Sequence, residues 1–84
     1  MLIETVKRYI EAQGLNQSEF ARKLSDVLPE GLGYSQVAIN HWLNGRRLPD
    51  VARMHYLSTN ATGWVRDFAR DALAAIDEDV ERRR

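Results

Sequence analysis

Ser35 to Asp50 reads SQVAINHWLNGRRLPD, and the fold turns on this stretch. Ser35 is a good helix N-cap, because its hydroxyl can accept from a first-turn N–H that has no partner inside the helix. Ala38, Ile39 and Trp42 then recur at one-turn spacing and can share a buried face. Asn44-Gly45 stops the helix, since Gly45 can take the left-handed conformation just past the last turn. Arg46 and Arg47 follow the stop, and Pro49 bars immediate continuation. The spacing therefore predicts a helix over 36–43. Its other face is Gln36, Val37, Asn40 and His41, hydrogen-bonding and nearly uncharged, with two arginines at the exit. A face meant only for solvent more often carries Glu and Lys. Gln and Asn can pair bidentately with adenine edges, and an arginine pair can hold phosphates.

Upstream, LNQSEFARKL runs from Leu15 to Leu24. Asn16 reads as an N-cap with Glu19 three residues later, close to a capping box. Phe20, Ala21 and Leu24 face inward, with Val27 and Leu28 extending that side, while Arg22 and Lys23 take the surface. Together the two blocks resemble the lambda-repressor-like (Cro and phage-repressor) helix-turn-helix family. The resemblance rests on Gln17 at the first helical position, the Glu19 carboxylate two later and the small Ala21. In the second block it rests on Ser35-Gln36, the Ile39 and Trp42 pair, and Asn44-Gly45-Arg46-Arg47 with Pro49. It spans about Leu15 to Leu57. One departure stands out. That family joins its two motif helices through about three or four residues. Here SDVLPEGLGY separates Leu24 from Ser35, and Pro29, Gly31 and Gly33 mark a loop. The expected second helix reaches about Leu28, and Leu32 and Tyr34 are expected to pin the loop to the core.

The resemblance implies double-stranded DNA as partner, with the helix over 36–43 in the major groove. It makes Gln36 and Val37 candidates for base-edge contact, the latter through a thymine methyl; His41, one turn beyond, and the flanking Asn40 join them. Gln17, Ser35, Asn44, Arg46 and Arg47 are the phosphate candidates. Tyr34 is a further one through its hydroxyl, against plain packing. Trp42 in its slot is a core residue rather than a stacking platform.

The flanks complete an all-α reading of five helices. Leu2, Ile3, Val6, Tyr9 and Ile10 form an inward stripe over residues 1–13, opposite Glu4, Lys7, Arg8 and Glu11. Glu4 and Arg8 are spaced as an ion pair, and Lys7 and Arg8 read as a solvated face rather than a distant phosphate contact. Gly14 ends this helix. Asp50 is expected to cap a fourth helix over 51–57, with Val51, Met54 and Leu57 closing the core and His55 at the surface. The small polar run Ser58 to Gly63 breaks the chain, with Thr62 or Asn60 as the next cap. Trp64, Val65, Phe68, Ala69, Ala72, Leu73, Ile76 and Val80 then form a continuous amphipathic stripe, predicting a long last helix over 64–81. A core of 1–57 has little need of so much apolar surface. The stripe either packs back across the first helix or forms a homodimer interface through Trp64, Phe68, Leu73 and Ile76. Asp77, Glu78, Asp79, Glu81 and the final Arg82 to Arg84 read as solvated charge.

Composition limits the remaining classes. A chain of 84 residues fits one small domain with a limited core. Twelve basic and twelve acidic residues give zero net charge, against the strongly basic footprint usual for nucleic-acid binding. The local distribution differs, for Arg46, Arg47 and Arg53 cluster while the acids gather late. With no cysteine, thiolate metal sites, disulfides and Cys nucleophiles are excluded, and a reducing cytoplasm is the expected setting. No apolar run approaches the roughly 18 residues of a membrane span, and no secretory signal is read. The two histidines have no partner carboxylate spacing, so neither metal nor cofactor is expected. Nor does the chain carry a glycine-rich phosphate loop or a nucleophile–base spacing, so an enzyme is not expected.

Two readings remain. One is a sequence-specific DNA-binding regulator of phage or mobile-element type, a repressor acting as a dimer. The other is a partner-binding protein, such as an anti-repressor, that keeps the helix-turn-helix fold and uses its last helix.

Overall fold

The computed structural model describes residues 2–82; Met1, Arg83 and Arg84, which open the expected first helix and close the arginine run, lie outside the described residues. Among the described residues the chain is all-helical. Five helices follow in order: α1 (Leu2–Gln13), α2 (Gln17–Val27), α3 (Gln36–Leu43), α4 (Val51–Asn60) and α5 (Gly63–Arg82).

Local chemistry sets most of these limits. Asn16 Oδ1 accepts from the Glu19 amide at 2.8 Å, and Glu19 Oε1 accepts from the Asn16 amide at 3.1 Å. This reciprocal capping box starts α2. The helix stops at Val27 because Pro29 disfavours helical backbone at Leu28, which is extended (φ −74°, ψ 152°). Asp50 caps α4 through the Arg53 amide at 3.0 Å. That helix continues past the expected end at Leu57. Ser58 Oγ donates to the His55 carbonyl (2.8 Å) and Asn60 Nδ2 to the Tyr56 carbonyl (2.9 Å), so the polar run supports a last turn instead of breaking it. Asn60 thus serves the end of α4 rather than the start of α5.

The core is built from Leu2, Val6, Phe20, Leu24, Ile39, Trp42, Met54, Leu57, Phe68 and Ile76, each almost wholly buried. Helix α5 packs against both α1 and α4. Phe68 presents an edge-on contact to Phe20 (5.0 Å) and another to Tyr9 (5.5 Å), and Trp64 stacks on Phe20 at 5.6 Å. The radius of gyration, 11.8 Å, matches the roughly 12 Å of a compact chain of this length, as it must if α5 lies on the body. Of the expected dimer stripe, Phe68 (0% exposed) and Ile76 (3%) are inside this core and have no surface to offer a second copy. Trp64 and Leu73 are half-buried and only partly available. The reason is supply: α5 brings Trp64 and Phe68 onto Phe20.

Three smaller expectations also change. Val51, expected to close the core, is 46% exposed, whereas Leu48 is half-buried and Pro49 buried. Arg8 turns to Asp71 of α5 (3.0 Å), which also accepts from the Tyr9 hydroxyl at 2.6 Å. Asp79, grouped with the solvated acids, accepts from the Leu2 amide at 3.4 Å and so caps the start of α1 from across the fold.

Candidate nucleic-acid interface

Helix α3 is short and firmly bounded. Ser35 Oγ accepts from the Ala38 amide at 3.4 Å. At the other end Gly45 has φ +70°, its amide donates to the Trp42 carbonyl (3.3 Å), and the Arg46 amide reaches the His41 carbonyl (2.9 Å). That pair of bonds is a Schellman stop. It turns the chain sharply and places Arg46 and Arg47 beside the helix end. Ile39 and Trp42 fix the inward side.

The outward side carries the residues expected there. Gln36 and Asn40 are exposed, Val37 is 61% exposed, and His41 is half-buried. Asn44 Nδ2 donates to Asn40 Oδ1 at 2.9 Å, and Asn40 Nδ2 donates to Gln17 Oε1 at 3.4 Å. A ladder of three amides therefore links the exit of α3 to the first turn of α2. It holds Gln17 beside α3 and fixes which way each amide points. Gln36 makes no side-chain hydrogen bond among the described residues, so its donor and acceptor remain open. Arg46 and Arg47 are exposed and have no ion-pair partner among the described residues. The face thus offers amides, one methyl-bearing side chain and two available guanidinium groups, with no carboxylate on α3 itself.

Tyr34 stands apart from this set. Its hydroxyl donates to Asp50 Oδ1 at 3.2 Å, and its ring meets Trp42 edge-on at 4.7 Å. Burial, with the Asp50 charge beside it, pushes the phenol well above its ordinary value. The ring therefore packs on Trp42 as one of the two expectations for Tyr34 has it, and its hydroxyl faces Asp50. Arg53, the third member of the basic cluster, is also engaged, with Asp50 Oδ1 at 3.5 Å and the Gly33 carbonyl at 3.4 Å.

The loop from Pro29 to Tyr34 is anchored by residues that carry no recognisable motif. Ser25 Oγ donates to the Ala21 carbonyl (2.7 Å) and accepts from the Tyr34 amide (2.8 Å). Gly33 lies so close to Ser25 that an added Cβ would sit 2.7 Å from its Oγ, so only glycine fits. Leu32, expected to pin the loop, is 44% exposed, since Ser25 and Tyr34 do that work. The one sequence signal for this anchorage is the pairing of Gly33 with Tyr34 just before a helix cap.

No family model, curated protein or solved structure matches this chain. Among the described residues, no group of three or more His, Asp or Glu side chains is placed to hold a metal, and no helix is long and apolar enough to cross a membrane.

Proposed function

We propose that this chain is a sequence-specific double-stranded DNA-binding protein of the lambda-repressor-like helix-turn-helix type, acting as a small transcriptional repressor in the form of a homodimer. The observation that carries the proposal is the outward face of α3. Gln36, Val37, Asn40 and His41 offer donors, acceptors and a methyl group without fixed charge, which suits base edges. Arg46 and Arg47, without an ion-pair partner among the described residues, lie at the exit, and Gln17 is bonded to the same face. Gln36 and Val37 read bases, Asn40 and His41 flank them, and Gln17, Ser35, Asn44, Arg46 and Arg47 hold phosphates. Such a face works by hydrogen bonding and counterion release, with no chemical step.

Selection of random duplex DNA by the purified chain, sequenced at low and moderate salt, tests this. An enriched inverted repeat with half-sites about one helical turn apart is expected. Absence of enrichment at both salts overturns the reading.

A second reading is favoured by a different observation. Val51 and Tyr56 on α4, and Leu32 in the loop, are large apolar side chains exposed to solvent, and the chain has no net charge. These suit a protein partner. Salt separates the two: phosphate-based binding weakens steeply with ionic strength, whereas an apolar contact hardly responds.

A further inference from the structure

The connection between α2 and α3 is long, yet it is fastened at its α3 end from three directions. Ser25 of α2 holds the Tyr34 amide at 2.8 Å and approaches the Tyr34 carbonyl at 3.1 Å. Trp42 of α3 receives the edge of the Tyr34 ring. From α4, Asp50 accepts the Tyr34 hydroxyl, while the Arg53 guanidinium lies over the Tyr34 ring at 5.0 Å and donates to the Gly33 carbonyl. Ser35, the N-cap of α3, is the next residue. The start of the reading helix therefore inherits its position from a clasp whose far side belongs to α4.

We propose that Tyr34 and Arg53 are positioning residues: by clasping the loop to α4 they set the angle at which Gln36 and Val37 meet the base edges, without touching DNA themselves. The inference rests on the DNA-binding reading above. Its physical basis is the length of the connection. A short turn fixes the crossing of two helices by backbone geometry alone. A connection running from Leu28 to Ser35 leaves that crossing open, and loop closure by itself discriminates weakly between arrangements. Near-attack accuracy at a base edge depends on hydrogen-bond distances and angles, which degrade steeply with misalignment. The clasp supplies the missing constraint. Asp50 is its pivot, since the same carboxylate caps α4 through the Arg53 amide. The start of α3 and the start of α4 are thereby tied to one side chain.

Two conservative variants test it. Tyr34→Phe keeps the ring on Trp42 and removes only the hydroxyl bond to Asp50. Arg53→Met keeps an unbranched stem and removes the guanidinium. Each is expected to reduce the ratio of preferred to random duplex affinity by about three- to tenfold, the net worth of one intramolecular hydrogen bond. Random-duplex affinity and the salt slope should stay at their wild-type values, and thermal unfolding is followed alongside. A uniform loss with a slope shallower by about one would make the residue a phosphate contact and overturn the proposal. An unchanged ratio would overturn it equally. Amide hydrogen exchange on the full chain, without DNA, is the second arm. Tyr34→Phe should speed exchange over residues 34–39 and leave α1 and α5 as they are; equal exchange in both chains refutes the clasp. A wild type with no duplex preference sinks the DNA-binding reading itself, a result visible before any variant is made.

Discussion

Replacing Gln36 by Ala removes a side chain of α3 whose amide has no partner among the described residues, and so separates reading from holding. Salt-sensitive binding should survive in Gln36→Ala while preference at one base pair is lost, at about 1–3 kcal/mol of discrimination. Competition between matched and mismatched duplexes checks it, and unchanged preference would remove Gln36 from the reading set. Arg46→Ala should act the other way. It should weaken every duplex alike and make the slope of log affinity against log salt shallower by about 0.9. At Gly33 the test is stability. Gly33→Ala places a methyl 2.7 Å from Ser25 Oγ, and overpacking of this kind costs about 1–3 kcal/mol. Urea unfolding should show a lower midpoint with an unchanged slope. The cap that Asp50 gives α4 is legible in the sequence, but its bond to Tyr34 and the contacts of Ser25 are not, because these depend on the path of a loop rather than on spacing along a helix.

Among the elements, α3 was the most legible. Ser35, the Ala38–Ile39–Trp42 spacing and Gly45 define it locally, and the helix occupies 36–43 as that pattern requires. The Asn16–Glu19 box is likewise local, and both of its bonds form. The end of α4 is less legible, because Ser58 and Asn60 can either end a helix or satisfy its last carbonyls, and spacing alone does not choose. The stripe on α5 is legible too, and of the two covers it allows, packing back across α1 is the one seen for Phe68 and Ile76. Amphipathicity identifies a face needing cover and says nothing of whether the cover is the same chain. That face covers the molecule's own core, which sets the prediction for α5. Phe68→Ala should cost about 3–5 kcal/mol, a large share of the 5–15 kcal/mol typical of a domain. Leu73→Asp, half-buried, should dissociate a homodimer if the remaining α5 surface holds one, as read by sedimentation. An intact dimer moves the interface to another face.

For the molecule as a whole, zero net charge shapes how it would meet DNA. The two available arginines at the exit of α3 imply a salt slope near −1.8 per protomer, or about −3.6 for a pair, shallow for a regulator. Binding to arbitrary sequence should then be weak, and selectivity must come from the amides of α3 more than from general attraction. Alkaline pH offers a separate test. Burial raises the phenols of Tyr34 and Tyr9 above their ordinary 10.0, each with an aspartate as neighbour. Raised values mean that the folded state favours the neutral phenol. The associated stability is complete below pH 10 and is lost as pH rises through the folded values. The urea midpoint should therefore fall on going above pH 10, and less so in Tyr34→Phe.

The dependence of the core on α5 also has a consequence in time. During synthesis α1 to α4 emerge first, with Phe20 lacking both Trp64 and Phe68, and Asp79 not yet present to cap α1. At about 5–20 residues per second, the twenty residues of α5 take roughly one to four seconds to be made. For that interval the nascent chain carries a half-covered apolar surface, and its fate depends on what meets that surface before its own last helix arrives.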